Sequence, residues 1–91
     1  MNQTELIKEV ANEANLTKTQ TQDVIRALLN TITRVVADGD KITLVGFGSF
    51  EPKMRSAREG RNPKTGETIQ IPATRVPTFS AGKAFREEVN K

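Results

Sequence analysis

Ninety-one residues with a net charge of +3, and without cysteine, tryptophan, tyrosine or histidine, allow one small domain whose core stays thin unless a second copy helps to bury it. Disulfides and thiolate chemistry are excluded, and so is a histidine base. The charge is uneven: residues 1–40 carry four basic and six acidic side chains, residues 41–91 ten basic and five acidic. A supporting first half and an anion-facing second half are therefore expected.

Asn2 followed by Glu5 reads as a capped helix start, and Leu6, Ile7, Val10, Ala11 and Ala14 recur on one face. Asn15 is a left-handed stop. Thr17-x-x-Gln20 opens a second helix over Lys18 to Ala37, whose apolar stripe (Val24, Ile25, Leu28, Leu29, Ile32, Val35, Val36) is wider than one small neighbour covers. Asp38-Gly39-Asp40 ends it. Strand signals start at Lys41 and continue through Ile42 and Leu44 to Val45-Gly46-Phe47-Gly48-Ser49-Phe50. The glycines suit a tight turn or a close backbone approach, with Phe47 and Phe50 turned inward. Phe79 returns the chain to the core, and Ser80 reads as the cap of a last helix from Ala81 to Val89. Phe85 and Val89 then face inward and Lys83 and Arg86 outward. The apolar runs are too short to span a membrane and no cleavable leader is evident, so a cytoplasmic protein is expected.

Between these pieces lies the stretch 53–75, with six basic residues (Lys53, Arg55, Arg58, Arg61, Lys64, Arg75) against two acidic ones, Glu59 and Glu67. It holds too few apolar side chains for a core of its own. Thr68-Ile69-Gln70-Ile71 alternates like a strand, and Asn62-Pro63-Lys64-Thr65-Gly66 reads as a turn. The expected object is a two-stranded basic arm whose returning strand, limited by Pro72 and Pro77, lies at an edge or carries bulges. Ten residues of strand reach about 33 Å, enough to run along a duplex groove. Lys53 and Arg55 share a strand face, whereas Arg58 and Arg61 have opposite parity. Pro63 has two readings: it forms the turn, or its rigid ring at the arm's outermost point also wedges between base pairs.

Catalysis finds little support. Only carboxylates, lysines and hydroxyls remain, and Gly60 to Gly66 departs from a phosphate loop in spacing and in Glu67 after the second glycine. No cofactor or metal is expected. A phosphate-tracking RNA binder is the rival to a DNA binder, since basic arms serve both polyanions.

The chain resembles the bacterial histone-like HU proteins, related to integration host factor, over essentially its whole length. The resemblance is carried by Met1-Asn2-Gln3-Thr4-Glu5-Leu6-Ile7, Gly46-Phe47-Gly48-Ser49-Phe50, the arm run Ala57-Arg58-Glu59-Gly60-Arg61-Asn62-Pro63-Lys64-Thr65-Gly66, Pro72-Ala73, and Phe79-Ser80-Ala81-Gly82-Lys83. The arm run is the most specific of these. The resemblance implies an α+β fold in which a helical dimer body bears a small antiparallel sheet, a long protruding β-ribbon arm and a short C-terminal helix. By the same resemblance, residues 1–52 and 76–91 are expected to form the dimer body of a single domain, and 53–75 the arm. It also implies a nucleoid-associated homodimer, or a heterodimer with a paralogue, that embraces and bends double-stranded DNA without reading its sequence. Members of this family are themselves standard examples of minor-groove benders. By the resemblance, Pro63 intercalates; Lys53, Arg55, Arg58, Arg61, Lys64 and Arg75 meet phosphates or line the groove; Asn62, Thr65 and Gln70 approach the DNA; and Lys83 and Arg86 belong to the body's contact surface. Position 3, often lysine in the family, is Gln3 here, which weakens or removes a contact from the body's flank to outlying DNA.

Overall fold

The computed structural model describes residues 1–91, which divide into two compact units, 1–34 and 35–91. In the first unit, helix α1 (Gln3–Ala14) starts at Asn2, whose Oδ1 accepts from the Glu5 N–H at 2.9 Å. It stops at Asn15, held in the left-handed region at φ 58°. Helix α2 (Lys18–Ala37) begins with a reciprocal capping box. The Gln20 N–H donates to Thr17 Oγ1 at 3.1 Å, and the Thr17 N–H donates to Gln20 Oε1 at 3.0 Å. Both starts and both ends fall where the sequence places them.

What this unit lacks is an interior. Ala11 and Thr21 are its buried residues, while Leu6, Leu16, Val24, Leu28 and Leu29 are exposed. The Thr21 hydroxyl donates to the Thr17 carbonyl at 2.9 Å, so its burial leaves no polar atom unpaired. The apolar stripe of α2 is real, and one chain leaves much of it open.

The second unit is built on a three-stranded antiparallel sheet of β1 (Ile42–Leu44), β2 (Gly48–Arg55) and β5 (Thr74–Ala81), in the order β1-β2-β5. The expected strand signal over 41–50 is split by a turn in which the Phe47 N–H donates to the Leu44 carbonyl at 3.0 Å and Gly46 takes φ 81°. Phe47, Phe50, Phe79 and Phe85 cluster beside this sheet, but Phe47 and Phe79 stay 43% and 41% exposed and are not turned inward as expected. Phe47 stacks on Phe85 at 4.9 Å between ring centroids, and Phe50 meets Phe79 at 4.8 Å. Such pairs contribute about 0.5–1.5 kcal/mol each beyond their buried area. Gly48 sits under this cluster, and a Cβ there would come within 2.5 Å of the Ser80 carbonyl oxygen and 2.6 Å of the Phe79 ring. Close approach, rather than ligand binding, explains that glycine.

Two expectations at the C-terminus are corrected. Ser80 does not cap the last helix: it pairs with Ser49 inside β5, and the ladder continues to Ala81 opposite Gly48. Its main chain is already committed to the sheet, so α3 (Lys83–Val89) starts at Gly82, with no side-chain cap. Val89 is 70% exposed instead of facing inward, while Phe85 does join the aromatic cluster.

Beyond Arg55 and Thr74 the ribbon is interrupted and resumes as β3 (Arg58–Arg61) paired antiparallel with β4 (Thr68–Ile71). The arm is therefore two ribbon segments separated by unpaired residues at 56–57 and 72–73, not one uniform hairpin. Pro72 accounts for the break, since it has no N–H to donate to a ladder. Pro77 lies within β5, an edge strand, as expected for proline in a sheet.

Candidate nucleic-acid interface

The arm's order comes almost entirely from its main chain. At the tip, the Asn62 N–H donates to the Glu67 carbonyl at 2.8 Å, and the Gly66 N–H donates to the Asn62 carbonyl at 2.7 Å. Asn62 Oδ1 accepts from the Lys64 N–H at 2.9 Å, and Thr65 Oγ1 accepts from the Glu67 N–H at 3.3 Å. These bonds, with Gly66 at φ 74°, hold the loop closed and leave Pro63 exposed at its outer end. Asn62 and Thr65 thus shape the turn, each through an oxygen that accepts a main-chain hydrogen bond.

Behind the tip, cross-strand register fixes which side chains share a face. Arg58 lies opposite Ile71 and Gly60 opposite Ile69, whereas Glu59 pairs with Gln70 and Arg61 with Thr68. Arg58 and Arg61 therefore leave opposite faces of the ribbon, as their parity requires. Gln70 Nε2 donates to Glu59 Oε1 at 3.4 Å, so one of the arm's two carboxylates already has a partner. Nearer the root, Lys53 opposite Val76 and Arg55 opposite Thr74 share the other face from Met54 and Arg75. At the break, Arg55, Ser56, Arg58, Ile71, Pro72 and Thr74 line a shallow open notch. Reading strands alone misses the notch residues Ser56, Ile71 and Thr74; Pro72 is the signal that the ladder lapses there.

Electrostatically the arm is uncompensated. The chain's ion pairs are Arg26–Asp23, Lys41–Glu51, Lys83–Glu87 and Lys91–Glu88. None involves Lys53, Arg55, Arg58, Arg61 or Lys64, all of which are exposed. Five unpaired cations distributed on both faces of a narrow ribbon suit a partner that presents negative charge in rows. The remaining candidates sit differently. Lys83 is paired with Glu87 at 3.9 Å, Arg86 is exposed on α3, and the Arg75 guanidinium donates to the Ala37 carbonyl at 2.9 Å. Gln3 is exposed on the first turn of α1.

Comparison with known proteins gives this geometry a family. The model of the family described as bacterial DNA-binding protein matches residues 1–90. A DNA-binding protein HU from Nostoc is 62% identical over 89 residues, covering 98% of this chain and 95% of the relative. One from Clostridium pasteurianum is 50% identical over the whole of both chains. Among solved structures, an HU–DNA cocrystal structure from Anabaena matches with a TM-score of 0.93 at 62% identity, covering 98% of this chain and 97% of that one. HU from Thermotoga maritima matches with a TM-score of 0.69 at 34% identity. Helices, antiparallel strands and an extended basic arm, matched at this identity along the full length, show that the chain belongs to the bacterial DNA-binding protein family of HU proteins.

Proposed function

We propose that this protein binds and bends double-stranded DNA as an architectural protein, without sequence readout and without catalysis. The observation that carries the proposal is the arm: five exposed, unpaired cations on a ribbon that has almost no interior of its own. Phosphate neutralisation releases counterions and supplies affinity that is indifferent to base identity. The minor groove's degenerate hydrogen-bond pattern keeps readout slight. Lys53, Arg55, Arg58, Arg61 and Lys64 follow the phosphates and groove walls, Asn62, Thr65 and Gln70 approach the DNA near the tip, and Lys83 and Arg86 extend the surface on the body. Pro63, rigid and exposed at the end of the arm, enters a base step and kinks it. Unstacking costs a few kcal/mol per step and is offset by the wider wrapped surface, the scheme for which this family is itself a standard example. DNA already nicked, gapped or bent needs less deformation and binds more tightly.

The working unit is a homodimer with its arms on either side of the duplex, and residues 1–52 and 76–91 supply its body. Support comes from the open stripe of α2, where Val24 is 57%, Leu28 49% and Leu29 51% exposed, an arrangement that calls for a second copy to cover it. No helix is long and apolar enough to cross a membrane, and the protein is assigned to the nucleoid on the strength of its ligand. A mobility-shift panel with intact, nicked and four-way-junction DNA, alongside a matched RNA duplex, tests the reading. Retention in the order nicked or junction, then intact DNA, then RNA supports it; equal retention of nicked and intact DNA contradicts the bending step, and preference for RNA contradicts the choice of ligand.

A further inference from the structure

Arg75 is the one arm cation that the structure does not leave free. Helix α2 ends with the Asp40 N–H donating to the Val35 carbonyl at 3.1 Å and the Gly39 N–H donating to the Val36 carbonyl at 3.0 Å, with Gly39 at φ 91°. That pairing is a Schellman ending, which satisfies the carbonyls two and three positions from the C-cap and passes over that of the last helical residue, Ala37. Arg75 fills the gap: its Nη2 donates to the Ala37 carbonyl oxygen at 2.9 Å, across 38 residues of sequence. Its Nη1 lies 3.3 Å from where a Cβ on residue 39 would stand, so glycine at this position leaves the guanidinium room. A cation at a helix C-terminus also lies in the favourable field of the helix dipole.

The place of Arg75 in the sheet gives this contact a consequence. Arg75 pairs with Met54 one step before the last rung of the β2–β5 ladder, Arg55 with Thr74, after which pairing lapses. The contact therefore fastens the root of the arm to the end of a helix just before the ribbon loses its ladder.

We infer that Arg75 is a positioning residue that sets the direction in which the arm leaves the body, and that it is not one of the arm's phosphate contacts. A forked guanidinium bonds the carbonyl with one nitrogen while the other lies on the turn, which a single ammonium cannot do. The consequence for binding rests on the DNA-clamp reading above; the tie itself acts in the free protein.

The test uses both states. The chain has no cysteine, so Arg34→Cys and Glu67→Cys place spin labels near the end of α2 and at the arm tip, with labelled protein diluted into excess unlabelled protein. Distances are measured without DNA. Arg75→Met should at least double the width of the distance distribution, and Arg75→Lys, which keeps the charge, should broaden it less. Affinity for an intact duplex is then titrated against salt. Arg75→Met should keep the wild-type slope, whereas Arg58→Met should lower it by about 1.8, the value of one phosphate contact from each of the dimer's two arms. An unbroadened distribution in both Arg75 variants, or a slope for Arg75→Met that falls as far as for Arg58→Met, overturns the inference. Absence of duplex binding by the wild type would instead strike at the DNA reading and leave the distance result standing.

Discussion

The root of the sheet and the tip of the arm are both antiparallel ribbons, yet they are held together by different physics. At the root, β2 and β5 are backed by four phenylalanines whose rings touch one another, and Gly48 is pressed against Ser80 and Phe79. At the tip, β3 and β4 have four residues each with no aromatic side chain to back them, and the fixed features are the ladder and the Asn62–Glu67 turn. A two-stranded ribbon of that kind is marginal in water. The root is ordered by its own side chains, whereas the tip of the free chain rests on main-chain pairing and its turn.

This contrast can be broken by substitution, and the largest effect is expected in the helices. Leu28→Ala should destabilise the protein by about 2–5 kcal/mol if the exposed stripe of α2 is buried in a dimer. A side chain left on a free surface would change stability by no more than about 0.5 kcal/mol. Urea unfolding with sedimentation at matched concentration decides between them, and a stable folded monomer would remove the dimer. Next in size, Gly48→Ala should cost about 1–3 kcal/mol by overpacking the root, whereas Thr68→Ala in the tip ribbon should leave the unfolding midpoint nearly unchanged. Equal losses at the two sites would erase the distinction between root and tip.

Smaller effects on stability, but larger ones on binding, are expected from the arm. Arg58→Ala with Arg61→Ala should flatten the plot of log affinity against log salt by about 0.9 for each phosphate no longer neutralised, with thermal unfolding unchanged. An unaltered slope would mean that these arginines do not face phosphates. Pro63→Ala is expected to change affinity least of all while reducing the bend, read from energy transfer between labelled duplex ends. If the bend persists, the proline only makes the turn.

Much of the fold is legible in the sequence because it is set by short-range chemistry. Asn2, Asn15 and the Thr17–Gln20 box act within a few residues of themselves, and the helix boundaries follow. Ser80 is the instructive miss. Its local signal as a cap is sound, but Ser49 in β2 takes it into the ladder, and that partner is 31 residues away in sequence. The arm's composition, its turn and the alternation of Arg58 and Arg61 are readable for the same local reason. The bond from Arg75 to Ala37 is not, since nothing near either residue says which way a long, flexible guanidinium will turn. The break at 56–57 and 72–73 lies between these cases, as Pro72 marks one side of it and the opposite strand carries no matching sign.

The most direct measurement is the separation of fluorophores at the two ends of an intact duplex, at low ionic strength, as the wild-type protein is added. Binding that brings the ends together in step with occupancy is the predicted result. A fully occupied duplex whose ends stay as far apart as in free DNA would contradict the proposal that the arms clamp and curve it.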